Sequence, residues 1–116
     1  MTNEKKTLTI TLTARAPVTI VKDDWPIIAR ASDHDGQVES QADRTWRLAV
    51  RQHDDGRAVV YGVHDTNWQS ERCRRGGEML AAGEDIPAAI ARVAATVGAE
   101  EIAAECVSDL PAVVLE

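Results

Sequence analysis

The side chains with the most to offer chemically are concentrated between positions 44 and 75. Seven arginines lie there, Arg44, Arg47, Arg51, Arg57, Arg72, Arg74 and Arg75, against four acids, Asp54, Asp55, Asp65 and Glu71. The segment thus carries three surplus positive charges, whereas the rest of the chain holds six basic and fifteen acidic residues. Guanidinium groups bind carboxylates and phosphates through forked hydrogen bonds. Trp68, in a polar stretch close to Arg72, has the composition of a binding hot spot. Arg47, Arg51, Trp68, Arg72, Arg74 and Arg75 therefore form the candidate interaction surface.

Other chemistries find less support. Cys73 lies among Arg72, Arg74 and Arg75, neighbours that favour a nucleophilic thiol, but no base or orienting group accompanies it. His53 and His64 fall at opposite ends of one hairpin, too far apart to share an ion. Asp33-His34-Asp35-Gly36 lacks the ligand set of a calcium loop and reads as a turn. His64-Asp65 matches the metal-binding pair of HD-type phosphohydrolases in the dipeptide alone. Gly76-Gly77 and Gly83 fit no phosphate loop, and Ser70 and Ser108 stand in no nucleophile elbow. The expectation is a protein that is not an enzyme and has no metal or cofactor. It binds another protein or, as the alternative, DNA through an arginine-bearing sheet face.

Net charge supports that order. At −6, with a pI near 5.0, the chain disfavours generic attraction to nucleic acid or anionic membrane. No run approaches the ~20 apolar residues that span a bilayer. Met1–Lys6 is polar with no signal-peptide core behind it. Cys73 and Cys106 belong to no C-x-x-C pair, so a cytoplasmic protein with both thiols in the core is expected.

These side chains need a scaffold. Trp46–Gln52 and Ala58–His64 alternate on either side of Asp55-Gly56, a hairpin signal. A two-residue loop opposes Val50 to Tyr61 and Leu48 to Val63, placing Trp46, Leu48, Val50, Val59, Tyr61 and Val63 on one face and Arg47 and Arg51 on the other. A three-residue loop would oppose Leu48 to Gly62 and Trp46 to His64, which wastes the apolar face. The two-residue loop is preferred.

Upstream, Thr7–Ala14 alternates strictly as a strand with a solvated threonine face, and Val18–Val21 resumes extended structure after Pro17. Asp24-Trp25-Pro26 opens a short helix that ends before a turn at 32–36. Val38–Ala42 is a weaker strand. Downstream, Glu71–Leu80 is a strand broken or bulged at Gly76-Gly77. Asp85 caps a helix whose stripe is Ile86, Ile90, Val93 and Val97, and Gly98 ends it. Ala99–Val107 forms a second helix. Ala112–Leu115 is an apolar tail expected to dock or pair. The sum is an α+β domain over residues 7–116 behind a flexible N-terminus, residues 1–6. Its antiparallel sheet has about four to six strands and is covered on one face by the C-terminal helix. Self-association through edge strands or the alanine-rich helices is an open option.

Three phrases carry a resemblance: RAPVTIVKDDWPIIARASDHDG (15–36), VRQHDDGRAVVYGVHDTNWQSER (50–72) and CVSDLPAVVLE (106–116). They resemble a group of small uncharacterised proteins encoded on proteobacterial plasmids and integrative conjugative elements. The resemblance covers most of residues 7–115 and implies a bacterial, cytosolic accessory protein of mobile DNA. It brings no activity, fold or site residue with it.

Overall fold

Alternating β-branched and apolar residues dominate the first two thirds of the chain, and the strands follow them. A computed structural model describes residues 6–35 and 43–111. Its strands are β1 (Thr7–Ile10), β2 (Val18–Val21), β3 (Ile27–His34), β4 (Arg44–Gln52), β5 (Ala58–Thr66) and β6 (Arg74–Leu80). Two helices follow, α1 (Ile86–Val97) and α2 (Glu100–Ser108). All pairings are antiparallel: β3-β4-β5-β6 make one sheet and β1-β2 a second. The α+β architecture is the one expected, with one addition. The four-stranded sheet is packed on both faces.

One face meets the helices. Leu48, Val50, Ala58, Val60 and Leu80 pack with Ala89, Ile90, Val93, Val97, Ile102 and Cys106 in one buried cluster. α1 forms where its caps dictate. Asp85 Oδ1 accepts from the Ala88 amide at 3.1 Å, and Gly98 takes the left-handed conformation (φ 74°) that closes the last turn on Ala94. Ile90, Val93 and Val97 are buried as their spacing predicts. The opposite face meets the small sheet, where Ile10, Leu12, Ile20 and Trp25 bury Val59.

That second layer corrects the hairpin register. Leu48 opposes Gly62, Val50 opposes Val60 and Trp46 opposes His64. The loop has three residues, with the Gly56 amide donating to His53 O (2.9 Å) and Gly56 alone at positive φ, 96°. A two-residue type I′ turn would also force Asp55 to positive φ, which costs a residue with a Cβ. Asp55 instead accepts from the Arg57 amide (2.9 Å) and from Arg57 Nε (2.7 Å). The amide contact, more than the guanidinium, holds its carboxyl below the ordinary value. No apolar face is wasted, because Val59 and Tyr61 turn towards the small sheet while Leu48 and Val60 turn towards α1. Trp46 is half-buried rather than core, stacked on the His64 ring at 4.8 Å.

Three further segments depart from expectation. Lys22–Asp24 is a single 3₁₀ turn, and residues 27–34, expected as a helix and a turn, form β3. Ala29 and Ala31 face Val50 and Leu48, so sheet pairing overrides the helix-start look of Asp-Trp-Pro. The first strand stops at Ile10, although Leu12 remains buried on the same side. β6 begins at Arg74 and passes through Gly76-Gly77 in unbroken register. Those glycines admit a close neighbour instead. A Cβ on Gly77 would lie 2.9 Å from Thr11 O, and one on Gly76 2.8 Å from Thr13 Oγ1.

The rims of the large sheet are both engaged. Thr13 donates its amide to Gly77 O (2.9 Å) and accepts the Gly77 amide on Oγ1 (3.1 Å) along β6. On β3, the Arg30 amide donates to Asp109 Oδ2 at 2.9 Å. The strand expected at Val38–Ala42 and the apolar tail Ala112–Leu115 lie outside the described residues. No helix among the described residues is long and apolar enough to cross a membrane.

Candidate interaction surface

Strand pairing distributes the arginines over three environments. Arg47 and Arg75 emerge on the face that carries Val63, on the part of the sheet beyond the small β1-β2 layer. Arg75 is 3.7 Å from Asp65. Arg51 shares that face but is only 8% exposed, so the outward projection expected of it is corrected. Its Nε donates to Tyr61 Oη (2.9 Å) and its Nη1 to Trp25 O (3.1 Å), between the two sheets. Arg74 points to the opposite face, towards the C-terminal end of α1, where its Nη1 would lie 3.5 Å from a Cβ on Gly98. The six candidates therefore do not make one patch.

What the fold does assemble is a groove at the end of the sheet, of about 610 Å³. Arg44 and Trp46 come from the start of β4, His64 from the end of β5, Arg74 from the start of β6 and Val97-Gly98 from the end of α1. Ser70, Glu71, Arg72 and Cys73 complete it from the loop between β5 and β6. Trp68 stands over the same loop, 45% exposed as expected, with the Arg44 guanidinium 3.5 Å above its ring. Such a stacked cation is attracted by the ring quadrupole.

The loop is held tightly. Asn67 donates its amide to Asp43 O at 2.8 Å, and Trp68 donates its own to Thr66 Oγ1 at 3.1 Å. Thr66 Oγ1 donates to Glu71 Oε1 (3.0 Å), and Glu71 Oε2 is 3.5 Å from Arg44 Nη1. Arg44 Nε lies 3.1 Å from Asp35 Oδ2. His64 Nδ1 donates to Thr45 O at 3.1 Å, and its Nε2 lies 3.6 Å from Glu71 Oε1. Arg44, Thr66 and Glu71 thus fix the loop that displays Trp68. Sequence reasoning passed over them as site residues. The signal was present in the pairing of Arg44 with Thr66, which either hairpin register brings close to Trp68.

The remaining chemical candidates are dispersed. Cys73 is exposed ahead of β6, which corrects its expected place in the core, and its Sγ exchanges long contacts with the Thr66 backbone at 3.5 and 3.7 Å. Cys106 is fully buried, and burial pushes its thiol up to about 11. The Asp33 carboxylate accepts from the His34 amide (2.8 Å), while that of Asp35 is taken by the Arg44 amide and guanidinium. Among the described residues no three His, Cys, Asp or Glu side chains are placed to hold a metal ion.

No protein-family model matches the chain, and no curated protein or solved structure is significantly similar to it.

Proposed function

We propose that this protein is a non-enzymatic interaction module that binds a protein partner through the groove and Trp68. It would work in the bacterial cytoplasm as an accessory factor of a mobile element, controlling transfer or blunting a host defence. That setting rests on the sequence resemblance. The binding role rests on one observation: a large aromatic side chain is held in solvent by a hydrogen-bonded loop, with an arginine stacked on it. Burying an exposed Trp on folding would be favourable, so holding it out on an ordered loop suits contact with something else. Pre-ordering reduces the entropy lost on binding. Trp and Arg dominate interface energetics for the same reasons.

The test is affinity capture from a bacterial lysate with three baits: wild type, Trp68→Ala and Arg47→Glu. Proteins held by wild type and by Arg47→Glu but lost from Trp68→Ala support the reading. The expected weakening is about 2 kcal/mol, roughly thirtyfold in Kd. Identical sets from all three baits overturn it.

A second reading is favoured by the shared face of Arg47 and Arg75, next to the Arg30–Ala49 pair of the large sheet. Arginines there would contact DNA phosphates. Such binding would weaken with salt by a log–log slope of about −0.9 per phosphate neutralised, and Arg47→Glu would flatten that slope. Absence of saturable duplex binding at low salt removes this reading.

A further inference from the structure

We infer that the groove takes an acidic segment of the partner, with an apolar side chain flanked by carboxylates; this rests on the protein-binding reading above. The argument is charge complementarity within the groove. Arg44 already serves Asp35, Glu71 and the Trp68 ring. Arg72 and Arg74 also line the groove and make no ion pair with any other described residue. Among the described residues the lining holds one acid, Glu71, and it is committed to Thr66 and Arg44. Two guanidiniums without a counter-ion among the described residues therefore stand beside the half-buried Trp46.

A carboxylate meets both requirements of such a site. It accepts two parallel N–H bonds from one guanidinium, and a neighbouring leucine-like side chain covers the accessible part of Trp46. A nucleic acid fits less well. Two arginines neutralise only two phosphates, and a chain of net charge −6 repels the remainder of a polyanion. An acidic pentapeptide with four carboxylates leaves two of them uncompensated by Arg72 and Arg74, against many on a polynucleotide.

The experiment is an NMR titration of the full chain with acetyl-Asp-Glu-Leu-Asp-Glu-amide. Its Asn-Gln-Leu-Asn-Gln counterpart and an oligothymidylate serve as comparisons. The acidic peptide should shift the Gly98 amide and the Trp68 indole resonances saturably. The double variant Arg72→Glu/Arg74→Glu should weaken it about tenfold or more, while Arg47→Glu on the other face leaves it within about twofold. Arg47, Arg72 and Arg74 are exposed, and an unchanged amide spectrum elsewhere shows that the variants fold. The inference is overturned by equal binding of the neutral peptide, by indifference to the charge reversal, or by the lack of any saturable shift. Tighter binding of the oligothymidylate overturns it in favour of nucleic acid. If Trp68-dependent capture survives while the acidic peptide fails, only the acidic-segment inference falls. If capture is blind to Trp68 while the peptide binds, the broader reading fails on its own.

Discussion

Arg51 carries its charge between two sheets with neutral partners, a phenol oxygen and a backbone carbonyl. Hydrogen bonds to a charged donor stabilise more than neutral ones, and both acceptors would be stranded without it. Arg51→Ala should therefore destabilise the fold by about 2–4 kcal/mol, read by urea unfolding; a loss comparable with that of an exposed arginine would contradict the placement. The two thiols offer a second contrast at this scale. An alkylating reagent should consume Cys73 in the native protein and Cys106 only after unfolding. Burial raises the Cys106 thiol from its ordinary 9.0 to about 11. A group raised in the folded state stabilises below its unfolded value and loses that contribution as pH climbs through the folded one. Stability should thus fall between about pH 9 and 11 more steeply in wild type than in Cys106→Ala, measured by denaturant midpoints across that range.

Among the elements, β5 shows why two runs can be recognised as a hairpin and still be misregistered. A Cβ on Gly62 would meet Leu48 Cδ2 at 2.8 Å, Val97 Cγ2 at 3.0 Å and Val93 Cγ1 at 3.2 Å. The glycine is the space into which Leu48 and α1 settle. Gly62→Ala should overpack that junction and cost about 1–3 kcal/mol, seen as a lowered urea midpoint with an unchanged m value. α1 was legible because its signals are local: Asp85 at one end, Gly98 at the other and an apolar stripe between. The register was not, because it is decided by contacts with α1 and with the small sheet, far away in sequence. β3 was hidden for a related reason. Trp25, Ile28 and Ala31 stand three apart beside a proline, as in a helix, and only pairing with β4 reveals Ala29 as an inward residue. The candidate site was half legible. Arg72 and Arg74 line the groove and Trp68 stands on the adjoining loop, whereas Arg51, Arg47 and Arg75 lie elsewhere, since which positions of neighbouring strands share a face depends on the register.

For the whole molecule, the layering separates two functions of charge. Acids dominate the chain overall and give it a pI near 5.0, so long-range forces should keep polyanions away at low salt. Arg72 and Arg74 act within contact distance only. Binding of the acidic pentapeptide should accordingly show a shallow dependence on ionic strength, with a log–log slope no steeper than about −2; a slope near that of a DNA-binding protein would point to a far larger positive field than this molecule has.

The Thr13–Gly77 strap and the Asp109 carboxylate on Arg30 have a consequence for solution behaviour. A strand-rich chain is vulnerable to templated growth wherever backbone donors and acceptors face water. Here the Gly77 amide and carbonyl on β6 and the Arg30 amide on β3 are already taken. Removing residues 1–17 would unseat the strap from β6, and that shortened chain should nucleate thioflavin-positive fibrils at concentrations the parent tolerates.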